Sequence, residues 1–179
     1  MATAVYAIAE NYSQAETIVD RLKLDNFSNN DISVLLADKT GTSDFAHEKH
    51  TKLPEGASAG AGSGGILGGV LGWLAGIGVL AIPGAGPFIA AGPIMALLGG
   101  VAVGAAVGGL TGALIGLGIP EFEAKKYEGK IKEGSVLIAV HSENADETKR
   151  AKRIFEDLGA HDISSRAEGK VSREGEAVR

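Results

Sequence analysis

Cysteine is absent from this chain, which rules out disulfides, iron–sulfur clusters and thiolate zinc sites. A basic stripe is missing as well. With a formal net charge of −5 and a pI near 5.4, the protein lacks the cationic surface that nucleic acid selects. The most informative absence is local: from Ala57 to Pro120, a run of 64 residues, there is no Asp, Glu, Lys, Arg or His.

Glycine takes their place. The run holds 20 of the 27 glycines, and Gly60, Gly64, Gly68, Gly72 and Gly76 recur every fourth residue. After a Pro/Gly break, Gly100, Gly104, Gly108, Gly112 and Gly116 repeat the pattern. Glycine costs about 1 kcal/mol against alanine in a water-exposed helix. In lipid every backbone group must be paired internally, which favours helix, and small residues four apart open a groove for a second backbone. At roughly 100° per residue, Ile66, Val70, Trp73 and Ile77 lie opposite the first ladder, and Val103, Leu110, Leu114 and Leu117 opposite the second. Each segment thus has a glycine face expected to pack and a greasy face expected to meet lipid.

Residues 57–82 would form a helix of about 39 Å, against a hydrocarbon core of about 30 Å, and residues 94–118 also suffice. Pro83, Pro87 and Pro93 interrupt the stretch between them, since proline removes a donor and clashes with the preceding turn. The expectation is a transmembrane helical hairpin over 57–120. Trp73 departs from it by falling near mid-segment, away from the interfacial belts where tryptophan concentrates.

The flanks read as halves of one domain, 1–56 and 121–166, followed by a charged tail, 167–179. Residues 3–9 predict a strand, Ser13 with Glu16 a capping box, and Ala15, Ile18, Val19 and Leu22 a helical stripe to Leu24. Ile32 to Ala37 predicts a second strand. Ser135 to Val140 is a continuous apolar run, the mark of a strand covered on both faces. Asn144 with Glu147 predicts a second cap, Ala151, Ile154, Phe155 and Leu158 a stripe ending at Gly159, and His161 to Arg166 follows. In "EFEAKKYEGKIKEG", Phe122 and Tyr127 either sit at a membrane interface or pack on the domain.

The flanks repeat each other. Ser13 precedes Asp31-Ile32-Ser33 by 18 residues, as Asn144 precedes Asp162-Ile163-Ser164. Two strand–helix–strand units predict an α+β, ferredoxin-like βαββαβ domain, with the glycine-zipper hairpin inserted between its second and third strands. The amino terminus lacks the basic region of a signal peptide. Lys49 and Lys52 before the insert, and Lys125, Lys126, Lys130 and Lys132 after it, would place both termini and the sheet domain on the cytoplasmic side of the cytoplasmic membrane.

The segments "VYAIAENYSQAETIVDRL", "LAIPGAGPFIAAGPI" and "KYEGKIKEGSVLIAVHSE" resemble the bacterial glycine-zipper general or heat-induced stress proteins, over most of the chain. Some members of that family are described as components of a quinol:electron acceptor oxidoreductase. The resemblance implies stress induction and, under that description, an accessory membrane component without a redox centre of its own. No haem or cluster ligands are identified, so no cofactor is expected.

Chemistry-bearing constellations are sparse. His47 and His50 in "HEKH" do not have zincin spacing, and "GAGSGG" at Gly60 to Gly65 lacks the GK[ST] ending of a phosphate loop. No serine has a matching His/Asp pair. Neither a catalytic residue nor a small-molecule substrate is identified. The expected function is a non-enzymatic, membrane-associated stress protein that partners the lipid bilayer and self-assembles into homo-oligomers through its ladders. The alternatives are a soluble particle burying the hairpins, a pore or membrane-remodelling assembly, and an accessory membrane subunit of a quinol oxidoreductase complex.

Overall fold

The computed structural model describes residues 3–38, 78–82, 86–93 and 102–167. Among them the chain runs β1 (Thr3–Ala9), α1 (Tyr12–Leu24), β2 (Ile32–Ala37), β3 (Gly78–Ile82), β4 (Gly86–Ala91), α2 (Ala102–Gly116), α3 (Glu121–Glu133), β5 (Val136–Ser142), α4 (Ala145–Asp157) and β6 (His161–Ala167). The protein is a mixed α/β fold with one antiparallel sheet and four helices among the described residues. Strand order is β3-β4-β2-β5-β1-β6, with every neighbouring pair antiparallel.

The flanking elements form where local chemistry places them. Asn144 accepts from the backbone N–H groups of Asp146 and Glu147 at 3.1 and 2.9 Å, while Glu147 accepts from Glu143 N–H at 2.8 Å, a reciprocal cap at the start of α4. Gly159, with φ of 71°, follows α4 as expected. The cap of α1 lies two residues earlier than predicted. Asn11, not Ser13, accepts from Gln14 N–H at 2.9 Å, and the Gln14 side chain accepts from Glu10 N–H at 2.7 Å. Asparagine caps as well as serine and glutamine reciprocates as well as glutamate, so "ENYSQAE" carries two overlapping signals and the earlier one closes.

Alternation along the strands sorts the core into two layers. Val5, Ala7, Ala9, Ile32, Val34, Val136, Ile138 and Val140 pack against Ala15, Ile18, Val19 and Leu22 of α1 and Ala151, Ile154 and Phe155 of α4. On the other face, Ala4, Tyr6, Ile8, Leu35, Phe88, Ala90, Leu137 and Ala139 pack against Leu110, Ala113 and Leu114 of α2, Ile119, and Ala124, Tyr127 and Ile131 of α3. β5 is therefore covered on both faces, as its continuous apolar run requires.

The helical hairpin expected over 57–120 is corrected. Residues 78–82, expected as the end of its first helix, form β3, and residues 86–91, expected as its connection, form β4. The two strands pair across the proline break, Gly78 with Ala90 and Ile82 with Gly86. Val, Leu, Ile and Phe suit a pleated strand as well as a helix in lipid, and Pro87 is tolerated near a strand start. The second helix is α2, broken at Gly109 (φ 62°, ψ −149°), a conformation only glycine reaches without strain.

No helix among the described residues is long and apolar enough to cross a membrane, which overturns the transmembrane helices and the cytoplasmic-membrane localisation built on them. The physical reason is that a charge-free apolar stretch suits lipid and an uncovered sheet face equally. Here part of it covers the sheet. Leu110 and Leu114, expected to face lipid, are fully buried against the second face.

Candidate functional site

The densest polar constellation among the described residues joins α3 to the edge strand β6. Ala124, Tyr127 and Ile131 lie three and four apart, so α3 lays one stripe on the sheet. Tyr127 is 1% exposed, and a buried hydroxyl must find partners. It donates to the Asp162 carbonyl at 3.1 Å and shares a hydrogen bond of 3.0 Å with Ser164 Oγ. The Phe122 ring, the other candidate interface anchor, is instead 79% exposed.

Charge pairs surround that hydroxyl. Lys126 and Lys130, one turn apart on α3, both reach the Asp162 carboxylate, Lys130 at 2.9 Å. Arg166 pairs with Glu123. Asp162 adopts a left-handed backbone, φ 53°, beside the shift in β1–β6 register between Tyr6 and Ile8. Burial by itself would raise the Asp162 carboxyl, but hydrogen bonds from Lys126 and Lys130 outweigh it and hold the group below its ordinary value. Burial pushes the Tyr127 hydroxyl up.

A second clamp joins α3 to α2. The break at Gly109 leaves the N–H groups that follow it without partners one turn back. Glu128 Oε2 accepts from Thr111 N–H at 2.9 Å and from the Thr111 hydroxyl, while Lys132 lies 2.5 Å from Oε1. Glu128 thus caps the second half of α2 from a neighbouring helix. Burial would raise its carboxyl, yet Lys132 and Thr111 together lower it.

These ion pairs and hydrogen bonds fasten α3 to β6 and to α2 over the sheet, while the buried Glu123 Oε2 and Arg166 Nε have no hydrogen-bond partner among the described residues. A pH dependence follows. Asp162 and Glu128 have folded pKa values below their unfolded ones, so each stabilises the fold above the ordinary carboxylate range of about 4. That contribution fades as pH falls through the depressed values, because protonation then favours the unfolded chain. Urea midpoints should fall as pH drops from 5 towards 2, and Asp162→Asn should have a shallower acid limb than wild type.

The ladder glycines fall differently from the clamp. Gly108 and Gly116 are exposed, Gly112 is half-buried, and Gly104 belongs to α2. Because α2 breaks at Gly109, Gly104 and Gly108 do not continue onto one straight face with Gly112 and Gly116. Gly60, Gly64, Gly68, Gly72, Gly76 and Gly100 lie outside the described residues, as do Trp73, His47 and His50. The sequence expectation missed the clamps. Their legible signals were the apolar stripe Ala124/Tyr127/Ile131 and the one-turn spacing of Lys126 and Lys130; the partners Asp162, Ser164 and Thr111 come from distant sequence.

Fold and clamp together define a mixed α/β protein whose antiparallel sheet is covered on both faces by its own chain. No family model, curated protein or solved structure matches it.

Proposed function

We propose that this is a non-enzymatic, self-assembling stress-response protein, built on a ferredoxin-like core whose glycine-rich insert makes contacts between copies. Support for that core comes from the units β1-α1-β2 and β5-α4-β6, which interleave as β2-β5-β1-β6 in the sheet. The stress-response part rests on the resemblance carried by the opening strand and helix, the β3–β4 segment and the α3–β5 run.

One observation carries the assembly reading. Gly108 is exposed on α2, and a Cβ built there would meet nothing within 4 Å. An exposed helical glycine costs about 1 kcal/mol against alanine, and this one relieves no crowding among the described residues. Unlike Gly129, it stands four residues from another glycine of the same helix, Gly104, a spacing at which a bare backbone permits close approach, and contact with another copy gives that pair a use.

Gly129 supplies the control, being likewise helical and uncrowded but outside the ladders. At concentrations where the chain is monomeric, Gly108→Leu and Gly129→Ala should each stabilise the fold by up to about 1 kcal/mol. Only Gly108→Leu should reduce association in sedimentation velocity. A wild type that is monomeric at every concentration, or a Gly108→Leu variant that associates unchanged, would remove this reading.

A further inference from the structure

The two ends of the sheet are built differently. At one end, β6 carries His161, Asp162 and Arg166, a left-handed residue at Asp162 and a register irregularity against β1. Charges and irregular backbone are the devices that keep an edge strand from pairing with another chain. At the other end, β3 is Gly-Val-Leu-Ala-Ile, with no charge, and its one partner in the sheet of described residues is β4.

Pairing within the β3–β4 hairpin shows which backbone groups face outward. Ala81 stands opposite Pro87, and proline has no N–H to give. That position is therefore a non-hydrogen-bonded pair, and alternation makes Val79 opposite Ile89 another. The N–H and C=O groups of Val79 and Ala81 consequently point away from β4, towards the side on which the described residues place no further strand.

We infer that β3 is a dimer interface, pairing antiparallel with β3 of a second copy so that two six-stranded sheets become one. This rests on the self-assembly reading above and names a surface for it. A second copy is the occupant for two reasons. Every strand pair in this sheet is antiparallel, so a two-fold β3–β3 pair continues the existing geometry with one self-complementary surface. An uncharged strand also meets its own copy without like-charge repulsion, which β6 could not avoid.

The test uses the full chain. In sedimentation equilibrium, Val79→Pro, which removes an outward N–H without touching the hydrogen-bonded β3–β4 pairs, should weaken dimerisation at least tenfold. Val79→Lys, which sets two like charges across the two-fold axis, should do the same. Hydrogen exchange on the wild type needs no variant: the Val79 and Ala81 amides should gain protection as concentration rises through the dimerisation range. Association unchanged in both folded variants, or Val79 and Ala81 amides that are protected in the monomer or exposed in the oligomer, would overturn the β3 interface and leave assembly through the glycines standing. A strictly monomeric wild type would overturn both.

Discussion

Gly92→Ala is expected to lower stability by about 3 kcal/mol or more, combining left-handed strain of about 1–2 kcal/mol with overpacking of about 1–3 kcal/mol. Gly92 follows β4 with φ of 81°, and a Cβ there would stand 2.1 Å from the carbonyl oxygen of Ile32 and 3.0 Å from Cα of Ser33. Both are backbone atoms of the adjacent strand, so no side chain can swing aside. The crowding would have to be relieved by separating β4 from β2, whose register runs from Val34–Ala91 to Ala37–Phe88. Phe88, fully buried on the second face, would move with it. Equilibrium unfolding in urea measures the effect; a midpoint equal to wild type would show that the chain does not approach β2 in this way.

The second large effect distinguishes the two faces of α2. Leu114→Ala should cost about 3–5 kcal/mol, the range for removing a buried leucine whose surroundings cannot collapse. Leu114 is 0% exposed in the layer that includes Tyr6, Ile8, Leu35 and Phe88 of the second sheet face. Its neighbour Ile115 is 41% exposed, and Ile115→Ala should stay within about 0.5 kcal/mol, as surface changes usually do. The contrast is large because adjacent helical residues point about 100° apart, one into the sheet and one away from it. Thermal or urea unfolding of the two variants side by side decides it. Equal costs would mean that α2 does not bury this leucine face.

Much of the flanks is legible in the sequence because their signals are local. β1 and β2 end at the residues their composition marks. The Asn144/Glu147 pair starts α4, and the stripes Ala15/Ile18/Val19/Leu22 and Ala151/Ile154/Phe155 are the residues that enter the core. The insert misleads for an equally physical reason. Hydrophobicity without charge says that a segment leaves water, but not what it leaves water for. Ser135 to Val140 already holds the counter-signal: an apolar run with no polar alternate predicts cover on both sides, whereas helices on one face alone would leave Leu137 and Ala139 bare.

Composition and spacing, then, determined which stretches become strand and helix in the flanks and where the cap of α4 falls, because each depends on neighbours within a turn or two. Tertiary structure alone decided that β3 and β4 extend the sheet, that Leu110 and Leu114 turn inward while Gly108 turns out, and that Glu128 caps a helix broken at Gly109. Those outcomes depend on an apolar sheet face assembled from strands more than a hundred residues apart, a surface that does not exist until the chain has folded.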